Sequence, residues 1–440
     1  MSSLHNSKMN DLLDKALEVR EKGISRPPEQ YRIRVTYPPL ATIESTVDEE
    51  KVRSSLLSGA VYIHYPFCSN RCGSCHFELY EDPEGYAELL IKNILMLNVE
   101  PTSLHIGGGT PTSMEDKDFH ELLHFLFSHT GGSGIEVTVE TRPDTLMEKI
   151  DVLRKYQKWI TRLSIGVQDF NDHVLAAIKR GHTAQQAIAA IDAAREAGFT
   201  NVNIDLMYGL PDQTLRDWER NLDMVLKLEV PSVTTYHLDI REDRPVHDLY
   251  QRAPYRFPDE DDNLLMHVRA VERLESAGYV QDPVDWFVKG EEHGYRHQHQ
   301  KWAEGRNLIA FGASAYWFVN GCVGENLPWR GEYESAVNQG RLPMLKAEKL
   351  SIEEIMARMV VFGLKTRNGA NVSTFLRSRM PYVRNVLVPN LEKAGEIGLI
   401  EKDNGCVRLT DVGKLYADEV SAMFFTQKRR EQTRGNMYLY

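Results

Sequence analysis

"AVYIHYPFCSNRCGSC", residues 60–75, joins an apolar run to a loop that carries three thiols. The run is short, rich in β-branched and aromatic residues and closed by Pro66, so it predicts a strand with the thiols just past its end. Cys68, Cys72 and Cys75 fall within eight positions of a chain that has only two other cysteines, Cys322 and Cys406. A disulfide framework wants an even number of cysteines. A structural zinc site closes with four ligands, often as two CxxC pairs. Three thiols on one loop are one ligand short of that, and they suit three irons of a [4Fe–4S] cube whose fourth iron stays open to a small molecule. Two other readings stay open: zinc completed by His64 or His76, and three unrelated buried thiols. Cys322 and Cys406 read as small hydrophobic residues rather than ligands.

Outward from this stretch, short apolar runs alternate with amphipathic ones. The runs are "AVYIHY" (60–65), "SLHIGG" (103–108), "IEVTVE" (135–140), "RLSIGV" (162–167), "NVNIDLM" (201–207) and "SVTTYHL" (232–238). Helices are predicted between them, among them the alanine-rich 184–198, which ends on a glycine. Strand–helix alternation implies an α/β fold with parallel strands and right-handed crossovers, and six strands make a partial (β/α)6 barrel. Sites in such sheets lie at the C-terminal strand ends. The cysteine loop, "GGGT" (107–110), Glu140, Gln168 and Asp205 are expected there.

The bulk numbers are those of a globular chain: 440 residues, 42% hydrophobic and 26% charged, with a net charge of −11. No run approaches the ~20 apolar residues of a membrane span, and the polar first twenty residues do not read as a secretory signal. Five cysteines, mostly clustered, point to a reducing compartment, taken as the cytoplasm. The negative charge argues against a nucleic-acid partner. The one basic run, "QKRREQTR" (427–434), reads as a solvated terminus. The expected organisation is an N-terminal extension (1–58), the partial barrel (59–250), a barrel-completing and substrate-covering region (251–345), a small helical, winged-helix-like domain (346–425) with a hairpin turning at Asp403–Gly405, and a basic tail (426–440).

The CxxxCxxC spacing, with "YIHYPF" before it and "HF" after it, resembles the radical S-adenosylmethionine (SAM) superfamily. Longer motifs, "VYIHYPFCSNRC", "HIGGGTPT", "VETRPDTL", "RLSIGVQDFND", "KRGHT" and "NIDLMYGLPDQT", follow in order. Together they are similar to the oxygen-independent coproporphyrinogen III oxidase family, which also holds a heme chaperone, radical C-methyltransferases and cyclopropanases. The resemblance covers roughly residues 60–420. It implies a [4Fe–4S] cluster on Cys68, Cys72 and Cys75, and contacts to the cluster-bound SAM from Tyr62, Gly108, Thr110, Glu140, Gln168, Arg180 and Asp205. Bare glycines would let backbone approach SAM. Glu140 would take its ammonium, Asp205 its ribose hydroxyls and Arg180 a carboxylate.

The same resemblance implies a second SAM, held by Gln300 with Met207, Asp239 and Gly109. Two positions depart from the oxidase: Asp239 replaces a small residue, and Phe77 stands in place of a further cysteine. The chaperone's H-N-x-x-Y-W motif appears as His297-Gln298-His299-Gln300-Lys301-Trp302, without its asparagine and tyrosine. Histidines 293, 297 and 299 are read as part of a polar, solvent-facing loop with a substrate contact, and a metal or heme site is the alternative reading. The expected function is therefore methylene or methyl transfer (C-methylation or cyclopropanation) to an sp2 carbon of a small-molecule substrate, with Gln300 taking part in the reaction. An electron donor such as flavodoxin or ferredoxin is implied, and no nucleic acid or membrane. The alternatives are porphyrinogen decarboxylation of the oxidase type and heme carriage.

Overall fold

Successive residues of a strand point to opposite faces, and in this chain the two sets differ in kind. Val61, Ile63, Leu104, Ile106, Val137, Val139, Leu163 and Ile165 occupy one set and are at most 4% exposed. Tyr62, His64, His105, Glu140, Ser164 and Asp205 occupy the other. The computed structural model describes residues 2–25, 36–53, 56–75, 79–129, 134–242 and 244–433, with side chains from residue 10 onward. Its strands are β1 (Leu57–Tyr65), β2 (Val99–Gly108), β3 (Glu136–Thr141), β4 (Arg162–Gln168), β5 (Val202–Tyr208), β6 (Ser232–His237), β7 (Val280–Gln281), β8 (Trp286–Val288), β9 (Asn307–Phe311), β10 (Tyr316–Val319), β11 (Cys322–Asn326), β12 (Met344–Lys349), β13 (Ala370–Asn371), β14 (Ile400–Asp403) and β15 (Cys406–Leu409). The six strands expected from the apolar runs are β1 to β6, which gives the expected α/β class. The chain folds into two compact units that interleave along the sequence.

One unit comprises residues 43–205 and 305–350. Its strand order is β12-β11-β10-β9-β1-β2-β3-β4-β5. Strand β1 pairs in parallel with β2 and with β9, and β2, β3 and β4 follow in parallel. Strands β9 to β12 form an antiparallel ribbon at one edge. The helices Tyr86–Leu95, Asp116–His129, Pro143–Lys155 and Ala184–Glu196 of this unit each bury apolar residues. Every residue of β4 is buried, as befits a parallel strand covered on both faces. The last of these helices starts on a capping box: Thr183 accepts from the Gln186 N–H, and the Gln186 side chain accepts from the Thr183 N–H.

The other unit holds the remaining described residues. Strands β6, β8 and β7 are antiparallel neighbours. The C-terminal part has the strand order β13-β15-β14, with the helix Ile352–Gly363 before β13 and Val388–Glu396 before β14. Its hairpin turns through Asn404 and Gly405, both with positive φ (47° and 81°), as a two-residue hairpin turn requires. The basic tail departs from expectation. Residues Gln427–Thr433 form a helix, and Arg429 on it is 0% exposed. Its guanidinium meets Glu354 at 3.2 Å and the carbonyl oxygen of Thr42 at 2.5 Å. An internal carboxylate, invisible in the local charge pattern, turns a basic run into an anchor; Arg434 lies outside the described residues. The histidine-rich segment also departs from a solvent-facing loop: Arg296–Trp302 is a helix, with His297, Gln298 and Trp302 buried. Among the described residues no helix is long and apolar enough to cross a membrane.

Candidate functional site

The cysteine loop leaves β1 at Tyr65 and is held from three sides. The Gly109 N–H donates to the Tyr65 carbonyl and the Thr110 N–H to the Phe67 carbonyl, each at 2.8 Å. The Gly73 N–H donates to the Ile178 carbonyl at 2.8 Å. Arg142, 4% exposed and paired with Asp144, donates to the Asn70 carbonyl at 3.1 Å. The Thr110 hydroxyl lies 3.1 Å from Cys68 Sγ, and Arg180 Nη1 donates to Cys72 Sγ at 3.1 Å. Burial pushes the Cys68 thiol up to about 11 despite Thr110. As a free thiol it is protonated at neutral pH, and a metal must displace that proton.

Among the described residues, no three His, Cys, Asp or Glu side chains converge where one ion would sit. A single tetrahedral zinc needs such convergence. A cube of irons instead takes one thiolate per iron and is tuned by donors to the sulfurs, so the loop fits the cluster. Of the histidines considered for zinc, His64 lies 2.9 Å from the Tyr62 hydroxyl and is buried, which lowers its pKa to about 4. His76, like Phe77, lies outside the described residues.

Beside the loop, the polar strand set forms a row. Register places Tyr62 opposite His105 and Glu140 opposite Ser164. His105 Nε2 lies 2.8 Å from Glu140 Oε1, and the Gly108 N–H donates to Glu140 Oε2 at 2.9 Å. Burial alone would raise the Glu140 pKa, but His105 and the Gly108 N–H outweigh it and hold the carboxyl below its ordinary range. Asp205 accepts from Asn203 Nδ2 at 2.8 Å and from the Ser164 hydroxyl at 3.3 Å. Glu140 keeps lone pairs for a ligand.

Tyr62, the three cysteines, Gly108, Gly109, Thr110, Glu140, Gln168, Arg180 and Asp205 all fall within the one unit. Their surroundings differ in detail from expectation. Asp205 sits mid-strand in β5 rather than at its end. Arg180 donates to the Cys72 sulfur and to the Gly166 carbonyl oxygen. The glycines also fit tightly against the protein: a Cβ on Gly108 would meet His64 Nδ1 at 2.5 Å, and one on Gly109 the Phe67 carbonyl oxygen at 2.3 Å. Gln168 is buried with φ of +71°, a strained backbone of the kind that clusters at functional sites. Met207, Asp239 and Gln300 belong to the other unit, where Met207 is buried and the other two are half-buried. Sequence reasoning missed His105, Arg142 and Ser164. All three stand inside the quoted motifs, and the alternation of polar with apolar residues was the available signal for His105 and Ser164.

Comparison with known proteins matches residues 62–225 to the radical SAM superfamily. The heme chaperone HemW of Bacillus subtilis is 28% identical over 83% of this chain and 98% of its own length. HemW of Lactococcus lactis is 30% identical over 72% of this chain and 84% of its own. The oxygen-independent coproporphyrinogen III oxidase of Pseudomonas aeruginosa is 25% identical over 83% and 85%. Among solved structures, the coproporphyrinogen III oxidase HemN from Escherichia coli, a radical SAM enzyme, superposes with a TM-score of 0.76 over 89% of this chain and 97% of its own, at 23% identity. None of these is a methyltransferase or cyclopropanase, so the expectation of methylene transfer gains no support from them.

Proposed function

Because this chain belongs to the radical SAM superfamily, in the family of the HemW heme chaperones and HemN-like coproporphyrinogen III oxidases, we propose that it holds a [4Fe–4S] cluster and SAM in the unit formed by residues 43–205 and 305–350, and that its further ligand is heme. When bound, the cluster and SAM together supply one-electron reductive cleavage of a carbon–sulfur bond. Cys68, Cys72 and Cys75 would each hold one iron. Arg180 donates to the Cys72 sulfur and the Thr110 hydroxyl would donate to a Cys68 thiolate, which would disperse negative charge and tune the potential. Glu140, open over 35% of its side chain, accepts an ammonium. Asp205, oriented by Asn203 and Ser164, accepts from hydroxyls. A small acidic or iron–sulfur redox protein would deliver the electron.

The observation that supports heme is the near end-to-end match to a heme chaperone, 98% of that protein's length. The test is anaerobic reconstitution followed by titration with heme and, separately, with a porphyrinogen. A heme carrier gives a saturable shift of the heme absorption at one heme per chain, one SAM per chain and no product. Carbon dioxide from the porphyrinogen would assign oxidase chemistry instead. S-adenosylhomocysteine, with two SAM bound per chain, would restore methylene transfer through Gln300.

A further inference from the structure

His105 is only 5% exposed and lies against Glu140, the carboxylate to which the reading above gives an ammonium. It lies on β2 and Glu140 on the adjoining β3, with Ile106 opposite Val139 in register. The ring nitrogen and carboxylate oxygen are 2.8 Å apart. A carboxylate only accepts, so the proton between them sits on Nε2. The contact exists because position 107 has no side chain. A Cβ on Gly107 would lie 2.6 Å from the Glu140 carboxylate and 2.7 Å from His105 Nε2. The first glycine of "GGGT" thus clears the space in which the pair meets. Tyr62 flanks the ring at 5.5 Å between centroids, limiting its rotation. With Oε1 on His105 and Oε2 on the Gly108 N–H, both oxygens are fixed while a third of the side chain stays open.

We infer that His105 is a positioning residue: its Nε2–H holds the Glu140 carboxylate in the orientation that receives the ammonium of an amino-acid-bearing ligand, SAM in the reading above, on which this inference rests. A carboxylate free to swing loses orientation on each binding event, and a preorganised one does not. His105→Phe keeps a flat ring and removes the donor. His105→Gln restores an N–H donor. Gly107→Ala leaves His105 in place and pushes the pair apart.

The test measures equilibrium binding of SAM, and of a SAM analogue lacking the amino group, to the iron-loaded full chain. His105→Phe and Gly107→Ala should weaken SAM about tenfold or more, the loss expected when a charged hydrogen bond is disordered. The deaminated analogue should bind all forms equally, His105→Gln should recover most of the affinity for SAM, and iron content should stay at wild type. Unchanged SAM affinity in His105→Phe overturns the inference. So does an equal loss for the deaminated analogue, which would make His105 a general support of the fold. A wild-type chain that loads iron and binds SAM but not heme would overturn only the heme assignment. Failure of the wild type to bind SAM would overturn both.

Discussion

Replacing Gly109 with alanine tests whether the glycines of "GGGT" serve the cysteine loop or the ligand. A Cβ at this position would lie 2.3 Å from the Phe67 carbonyl oxygen and 2.7 Å from the Phe67 nitrogen, both backbone atoms that cannot rotate away. Phe67 must therefore move by about 1 Å to reach ordinary contact, at the ~1–3 kcal/mol typical of overpacking. The displaced carbonyl is the acceptor of the Thr110 N–H, and Gly109 itself donates to Tyr65, both at 2.8 Å. Loss of the two bonds adds about 1 kcal/mol each. The sum, about 3–5 kcal/mol, falls on the residue before Cys68, whose sulfur meets the Thr110 hydroxyl at 3.1 Å. At about 1.4 kcal/mol per tenfold, the loop geometry that presents Cys68 loses roughly a hundredfold or more in population. The assay is iron per chain after anaerobic reconstitution, followed by challenge with a graded chelator. Gly109→Ala should lose iron at chelator concentrations far below those that strip the wild type. Gly331→Ala, whose Cβ would meet nothing within 4 Å, is the control and should behave as wild type. Equal chelator resistance in Gly109→Ala and the wild type would refute the steric argument.

Replacing Cys68, Cys72 or Cys75 with alanine should abolish iron uptake, while Cys322→Ala and Cys406→Ala leave the iron content intact, as elemental analysis checks. Lys365→Met should lower the thermal midpoint strongly, because it strips the partner from Asp418 in a pair whose members are 3% and 5% exposed; breaking such a pair costs about 3–5 kcal/mol, and Lys365→Met with Asp418→Leu should recover part of the loss. His64 and His182 each have a pKa lowered to about 4, chiefly by burial. The unfolded chain therefore takes up protons that the folded one refuses, so their contribution to stability is full above about pH 6.5 and is lost as pH falls toward 4. Thermal scans over that range should show the loss, with a shallower slope in His182→Asn. Asp205→Asn should weaken binding of SAM and of S-adenosylhomocysteine alike, whereas Glu140→Gln should weaken binding of both and spare the deaminated SAM analogue.

What the sequence by itself determined is what consecutive residues carry. The period-2 alternation in "YIHY", "LHIGG", "VTVE" and "LSIGVQ" sets the strands and separates an apolar face from a polar one. Three thiols in eight positions mark a site short of one ligand, and the Asp403–Gly405 turn marks a hairpin. These signals are local and survive without knowledge of the partners. The later strands were poorly legible for the same reason: β9 is five residues long and earns its place only by pairing with β1, some 250 positions earlier. The site's working contacts were decided by tertiary structure alone. Glu140 meets a histidine 35 residues away, Cys72 an arginine 108 residues away, and Arg429 a glutamate 75 residues away. Each depends on strand order, register and burial, which place opposite charges or a donor and acceptor within 3.2 Å. A run of basic residues is solvated or anchored according to what folds against it, and a glycine is spare or indispensable according to what occupies the space its side chain would fill.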